Sequence, residues 1–164
     1  MAQIIDNFLH NDDFNNIKDF MMNHNFSWYI QQHTDIYGDN NKQLTHIFYD
    51  SLNMGFRPNS DHFDMLQPII KKLDIKALIR IKANLTFIDN KRENLFHSDI
   101  PDDNNNKTAL YYLTVGGGTQ FEEGNQYVEA IPNRMVVFNN TDKHKVVKHK
   151  TGDPFRAVIN FNYY

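Results

Sequence analysis

From Ile79 to Phe87 apolar and polar residues alternate without a break. Ile79, Ile81, Ala83, Leu85 and Phe87 fall on one side and Arg80, Lys82, Asn84 and Thr86 on the other. Period-two alternation marks a strand whose two faces meet different surroundings. Further strands are predicted over residues 108–115, 119–122, 127–130, 134–138, 145–148 and 155–163. Gly116-Gly117-Gly118, Glu123-Gly124-Asn125, Pro132-Asn133 and Thr151-Gly152-Asp153-Pro154 supply the turns between them. Many short strands separated by Gly and Pro turns predict a sandwich or barrel.

The first 75 residues read as mostly helix and loop. Phe14, Ile17, Phe20 and Met21 recur at helical spacing after Asn11-Asp12-Asp13, which offers a cap and an acidic first turn. A second helix is predicted over 60–73, capped by Ser60, with Phe63, Leu66, Ile69, Ile70 and Leu73 on its apolar face and Pro68 shortening or kinking it. Residues 28–58 read as loop with one strand near 44–49. The expected architecture is one domain over 1–164, mainly β with N-terminal helices. Residues 1–75 form a helical support and substrate loop, and 76–164 form the β core.

Composition narrows the chemistry. At 164 residues and 40% hydrophobic content the chain has the material for one real core. It has no cysteine, which removes disulfide frameworks, zinc fingers, thiol nucleophiles and iron–sulfur clusters together. A net charge of −3 gives no global basic field, so a nucleic-acid partner is not expected. No apolar run approaches the ~20 residues of a membrane span, and the start Met1-Ala2-Gln3-Ile4-Ile5-Asp6 lacks the basic residues of a signal peptide. The expectation is a soluble, cytoplasmic protein without a membrane partner. Oligomeric state is not legible.

Eight histidines in such a chain raise the question of a metal. His-x-Asp occurs three times, at His33/Asp35, His62/Asp64 and His97/Asp99. Residues i and i+2 share one side of a strand but diverge on a helix. His62 and Asp64 fall in the predicted second helix, and His33 and Asp35 in a loop remote from the β framework. His97 and Asp99 sit at the mouth of the strand region, where one extended segment can fill two adjacent corners of an octahedron. His144, after the apolar strand Met135-Val136-Val137-Phe138, is the preferred third ligand, with His149 the competitor among lysines. Two histidines and one carboxylate form the facial triad of non-haem Fe(II) oxygenases. Activating O2 takes more electrons than one ferrous ion gives, and a 2-oxo acid supplies them. Arg156, alternating with Phe155 and Ala157, is the cation for its far carboxylate.

These residues come in an order that resembles a family. His97-Ser98-Asp99, Leu110-Tyr111-Tyr112-Leu113, Gly116-Gly117-Gly118-Thr119-Gln120-Phe121, Pro132 to Phe138, His144, Gly152 and Arg156 resemble the 2-oxoglutarate- and Fe(II)-dependent dioxygenases, prolyl-4-hydroxylase-like branch. The resemblance covers residues 80–163, about half the chain, and is similar to small versions carried by bacteriophages, which would place the protein in a host cytoplasm. It implies a double-stranded β-helix, or cupin-like jelly roll, backed by a helical layer. It implies iron on His97, Asp99 and His144 and the C5 carboxylate of 2-oxoglutarate on Arg156. Tyr112 would assist that carboxylate, Thr119 would add a hydroxyl, and Tyr111 would be core. Asn84 stands roughly where many relatives have a tyrosine. The implied reaction uses O2, with ascorbate supportive, to hydroxylate an unactivated C–H. A peptide or protein proline is the first candidate, and a small molecule or nucleobase the alternative. A catalytically inactive jelly-roll module and a cupin-like enzyme without an oxo acid are the competing readings. Trp28, Tyr29, Phe48 and Tyr49 either pack helix on sheet or line a substrate groove. The lysines around His144 and His149 read as a solvated strand edge.

Overall fold

The computed structural model describes residues 1–31, 43–87, 94–100, 105–147 and 152–164, and its organising element is the last strand. Among the described residues the strands are β1 (Gln3–Ile5), β2 (Tyr29–Gln31), β3 (Gln43–Asp50), β4 (Leu78–Phe87), β5 (Lys107–Tyr112), β6 (Gly118–Phe121), β7 (Tyr127–Glu129), β8 (Met135–Asn139), β9 (His144–Val147) and β10 (Phe155–Tyr163). The helices are α1 (Asn11–Met21) and α2 (Gln67–Lys72). A large antiparallel sheet runs β1-β8-β5-β10-β4-β3-β2, with β10 at its centre, and a small one runs β7-β6-β9.

Alternation along β10 separates two cores. Ala157, Ile159, Phe161 and Tyr163 face the helical side and meet Phe14, Ile17 and Met21 of α1 and Ile69 of α2. Val158 faces the other way with Leu110, Tyr112 and Val136, against Phe121 and Val128 of the small sheet. Each fully enclosed side chain of the Ile159 or Phe161 kind contributes about 1.5–3 kcal/mol. Arg156, Asn160 and Asn162 share the Val158 face, so polar groups are carried between the two sheets.

The jelly-roll arrangement matches the expectation, and the N-terminal part departs from it. The first 75 residues hold β1 and β2, which the sequence pattern does not show, besides the helices and β3, which answers to the strand expected near 44–49. The short pairing of Gln3–Ile5 with β8 depends on a distant partner, which local pattern does not show. The predicted 60–73 helix is a 3₁₀ turn (Phe63–Leu66) followed by the six residues of α2, which places Pro68 in the first helical turn. Proline lacks the amide that a longer helix needs there. In α1, Asn11 is the first helical residue and His10 precedes it, with no side-chain cap. Trp28 packs on Phe26 and donates to the Met21 carbonyl at 3.1 Å, closing the end of α1. Phe48 is fully buried and Tyr49 packs on Phe63, so these three aromatics join helix to sheet, while Tyr29 is exposed. His33, Asp35 and His149 lie outside the described residues.

Asn133 ties the N-terminal segment to the sheets from a backbone at φ 61°. Its Oδ1 accepts from the Tyr111 hydroxyl at 2.6 Å and the Leu9 amide at 2.9 Å, and its Nδ2 donates to the Leu9 carbonyl at 2.9 Å. Asn133→Ala leaves these buried groups unpaired and is expected to cost about 2–4 kcal/mol in denaturant unfolding. A loss below about 1 kcal/mol would contradict this role.

His46 is buried on β3, its Nδ1–H donating to the Ser27 carbonyl at 2.7 Å and its Nε2 accepting the Ser60 hydroxyl at 2.8 Å. Burial holds its pKa below the ordinary value, and the neighbouring His62 adds to that. The unfolded chain, titrating near the usual value of about 6.5, therefore binds the proton first as pH falls. Stability is expected to be full above that value and to drain as pH drops below it. His46→Gln is expected to flatten this slope in urea titrations at several pH values.

Candidate active site

His97 and His144 are brought together by backbone before any side chain acts. Each donates its amide to the carbonyl of the other at 3.0 Å, which fastens the 94–100 segment to the start of β9. The ligand atoms of His97, Asp99 and His144 then lie within 4.8 Å of one another. His97 Nε2 is 3.9 Å from Asp99 Oδ1, and His144 Nε2 is 3.9 Å from Asp99 Oδ2.

The opposite ring edges set the tautomers. His97 Nδ1 faces the Leu95 carbonyl at 3.2 Å and His144 Nδ1 the Asp142 carbonyl at 3.3 Å. A carbonyl only accepts, so the proton sits on Nδ1 and the Nε2 lone pair turns toward the cluster. Burial holds the His144 pKa below its ordinary value, although Asp99 opposes the shift, so the ring is neutral at pH 7.

Asp99 is nearly enclosed, its side chain 8% exposed. Burial resists its ionisation, but His144, Arg80, the Asn160 hydrogen bond and His97 outweigh that and hold the carboxyl at about 2. Asn160 Nδ2 donates to Oδ2 at 2.9 Å and Asn162 Nδ2 to the same oxygen at 3.3 Å. Arg80 lies 3.8 Å from Oδ1 and donates through Nε to Asn162 Oδ1 at 3.1 Å.

A second polar group stands further along β10. Arg156 is 2% exposed, donates through Nη2 to Thr119 Oγ1 at 3.3 Å and lies over the Tyr112 ring at 5.2 Å. Thr119 Oγ1 and the Tyr112 hydroxyl are 2.7 Å apart. Arg156 Nε has no hydrogen-bond partner among the described residues. A buried guanidinium so poorly satisfied fits an anionic ligand. One cavity of about 300 Å³ connects the groups, its wall including His97, Asp99, His144, Arg156, Thr119 and Asn84. Asn84 lies opposite Val158, and its Oδ1 has no partner among the described residues.

The structure thus gathers His97, Asp99, His144, Arg156, Thr119 and Asn84 around one cavity, with Tyr112 behind Thr119. Tyr111 points into the helical core. His62 meets the Phe20 ring edge-on and the Phe26 ring at a tilt, and does not line the cavity that holds Asp99. Sequence reading did not single out Asn160, Asn162, Arg80 or Lys82 as site residues. The signal was there in their alternation with the apolar face of β10 and β4, but a polar strand face ordinarily meets water. Here the small sheet covers it.

No protein-family model and no curated protein matches the chain, whereas solved structures do. A 2OG-Fe(II) oxygenase family oxidoreductase from Burkholderia pseudomallei superposes with TM-score 0.75 at 12% identity, over 99% of this chain and 84% of that one. A prolyl hydroxylase from Trichoplax adhaerens, in complex with a hypoxia inducible factor peptide fragment, gives 0.67 at 15% identity, over 99% and 83%. The alpha ketoglutarate dependent epimerase SnoN of nogalamycin biosynthesis gives 0.66 at 10% identity, over 99% and 77%. The fold is therefore the double-stranded β-helix of the 2OG-Fe(II) oxygenases.

The donor set suits a divalent transition metal, with two imidazoles and one carboxylate leaving the remaining positions open. Co(II), followed by its visible absorption, is expected to bind the protein and to fail with Asp99→Ala or His144→Ala. Asn160→Ala, which removes a donor from Asp99, is expected to weaken Co(II) about 10–100-fold. Unchanged affinity in that variant would contradict the Asn160 assignment.

Proposed function

We propose that this chain is an Fe(II)- and 2-oxoglutarate-dependent oxygenase that hydroxylates an unactivated C–H bond, with a prolyl group of a peptide or protein as the first target. The observation that carries the proposal is one cavity with a His97/Asp99/His144 cluster toward one end and a buried, under-satisfied Arg156 at the other. Arg156 and Asn160 are four residues apart on β10, about 13 Å of strand. With both side chains reaching inward, a five-carbon diacid spans the gap.

In this reading His97, Asp99 and His144 hold the metal, and Asn160 and Asn162 keep the Asp99 carboxylate oriented. Arg156 takes the C5 carboxylate of 2-oxoglutarate, with the Thr119 and Tyr112 hydroxyls beside it. When bound, iron and 2-oxoglutarate supply O2 reduction, one oxygen atom going to the substrate and the other to succinate as CO2 leaves. The chain's own task is orientation and shielding. The apolar Val158, Leu110 and Val146 on the wall limit water around the reacting groups.

The test is succinate release from 2-oxoglutarate in air with Fe(II) and ascorbate. Wild type is expected to form succinate and His97→Ala to form none. Arg156→Ala is expected to need about a hundredfold more 2-oxoglutarate, because a buried charge pair is lost. An Arg156→Ala variant with wild-type dependence on 2-oxoglutarate would contradict the assignment.

A further inference from the structure

The cavity holds two carboxamides that neither a metal nor 2-oxoglutarate employs. Gln31 of β2 and Gln43 of β3 both line it, and they are directly paired across the β2–β3 ribbon. Gln43 and Thr45 lie two apart and so share a face of β3. Thr45 is paired with Asn84, itself on the cavity wall opposite Val158 of β10. The two glutamines therefore extend the polar floor of the large sheet, on the side of β4 away from β10. Gln43 stands two strands from β10, about 10 Å.

The fold itself makes no use of either amide. Gln43 is 6% exposed. Among the described residues its side chain and that of Gln31 make no hydrogen bond, with each other or with a neighbour. An amide taken out of water unpaired costs free energy on its donor and on its acceptor alike. Water fills both roles while the cavity is open, and a ligand that displaces the water has to replace both.

That requirement selects the ligand. A carboxylate accepts from Nε2 and leaves Oε1 unpaired, and an ammonium group does the reverse. 2-Oxoglutarate as its dianion has acceptors only. An extended peptide presents the N–H and the C=O of one residue on the same side, spaced to meet the Oε1 and Nε2 of a single carboxamide. We infer that Gln31 and Gln43 bind the main chain of a peptide substrate beside the residue that reaches the His97/Asp99/His144 cluster. The contact falls roughly two to four residues from that residue, about 10 Å of extended chain. This rests on the oxygenase reading and narrows it to a substrate recognised through its backbone.

The test is equilibrium dialysis under nitrogen against protein saturated with Fe(II) and 2-oxoglutarate. The probe is a nonapeptide of eight alanines around a central proline, acetylated and amidated at its ends, so that it offers a main chain and almost no side chains. A set of analogues replaces one alanine at a time by lactate, which exchanges a single N–H for an ester oxygen. Wild type is expected to bind the parent peptide. It is expected to bind the analogue with lactate at the contact position about fivefold or more weakly, the value of one hydrogen bond. That penalty is expected to disappear in the double variant Gln31→Leu/Gln43→Leu, whose Co(II) absorption reports whether the metal cluster is intact. The wild-type series decides by itself where that variant does not fold. A parent peptide that does not bind wild type overturns the inference. So does a wild-type series with no weakened position two to four residues from the proline, or a penalty that survives in the folded double variant. Failure of the oxygenase reading shows separately, as absence of succinate release from wild type.

Discussion

A carboxylate shut between two sheets must be compensated or it will not ionise, and Asp99 is the point at which this fold meets that requirement. Burial opposes its charge, yet His144, Arg80, Asn160 and His97 together hold its pKa at about 2. Two of the groups around it, Asn160 and Asn162, come from β10, the central strand of the large sheet. His144 comes from the small sheet and Arg80 from β4. The carboxylate is thus a junction of four separate segments. The sheets need it neutralised, and it needs the sheets aligned.

The same strand explains why the cavity has two unlike ends. Inward positions of β10 run Arg156, Val158, Asn160, Asn162, a cation and two amides separated by one apolar residue. The outward positions Ala157, Ile159, Phe161 and Tyr163 are held by the helical core, which fixes the register. A slip of one residue would carry the three polar side chains into that core and expose its apolar set to the cavity. Anchoring under α1 and α2 therefore positions the site, although neither helix contributes a side chain to its wall.

Much of this was legible from residues alone. Alternation located β4 and β10, Gly and Pro turns located the hairpins, and His97-x-Asp99 with His144 and Arg156 marked the ends of the cavity. The N-terminal part was less legible because two of its strands are very short and one of them, β1, pairs far along the chain. β1 is three residues paired with β8, and β2 is three residues paired with β3. The apolar spacing of 60–73 is that of a helix, but Pro68 allows only a short one after a 3₁₀ turn. Asn160, Asn162 and Lys82 escaped for a different reason. Period two separates the faces of a strand without saying whether the polar one meets water or a second sheet.

The central claim is that one cavity holds a metal at His97/Asp99/His144 and a 2-oxo acid reaching from it to Arg156. Anaerobic titration of the protein with Fe(II) and then 2-oxoglutarate tests it most directly. The account predicts a weak visible charge-transfer band that requires both additions and is absent in His144→Ala. It also predicts that Arg156→Ala forms the band only at far higher 2-oxoglutarate. A wild-type protein that binds Fe(II) and shows no band on saturation with 2-oxoglutarate would contradict it.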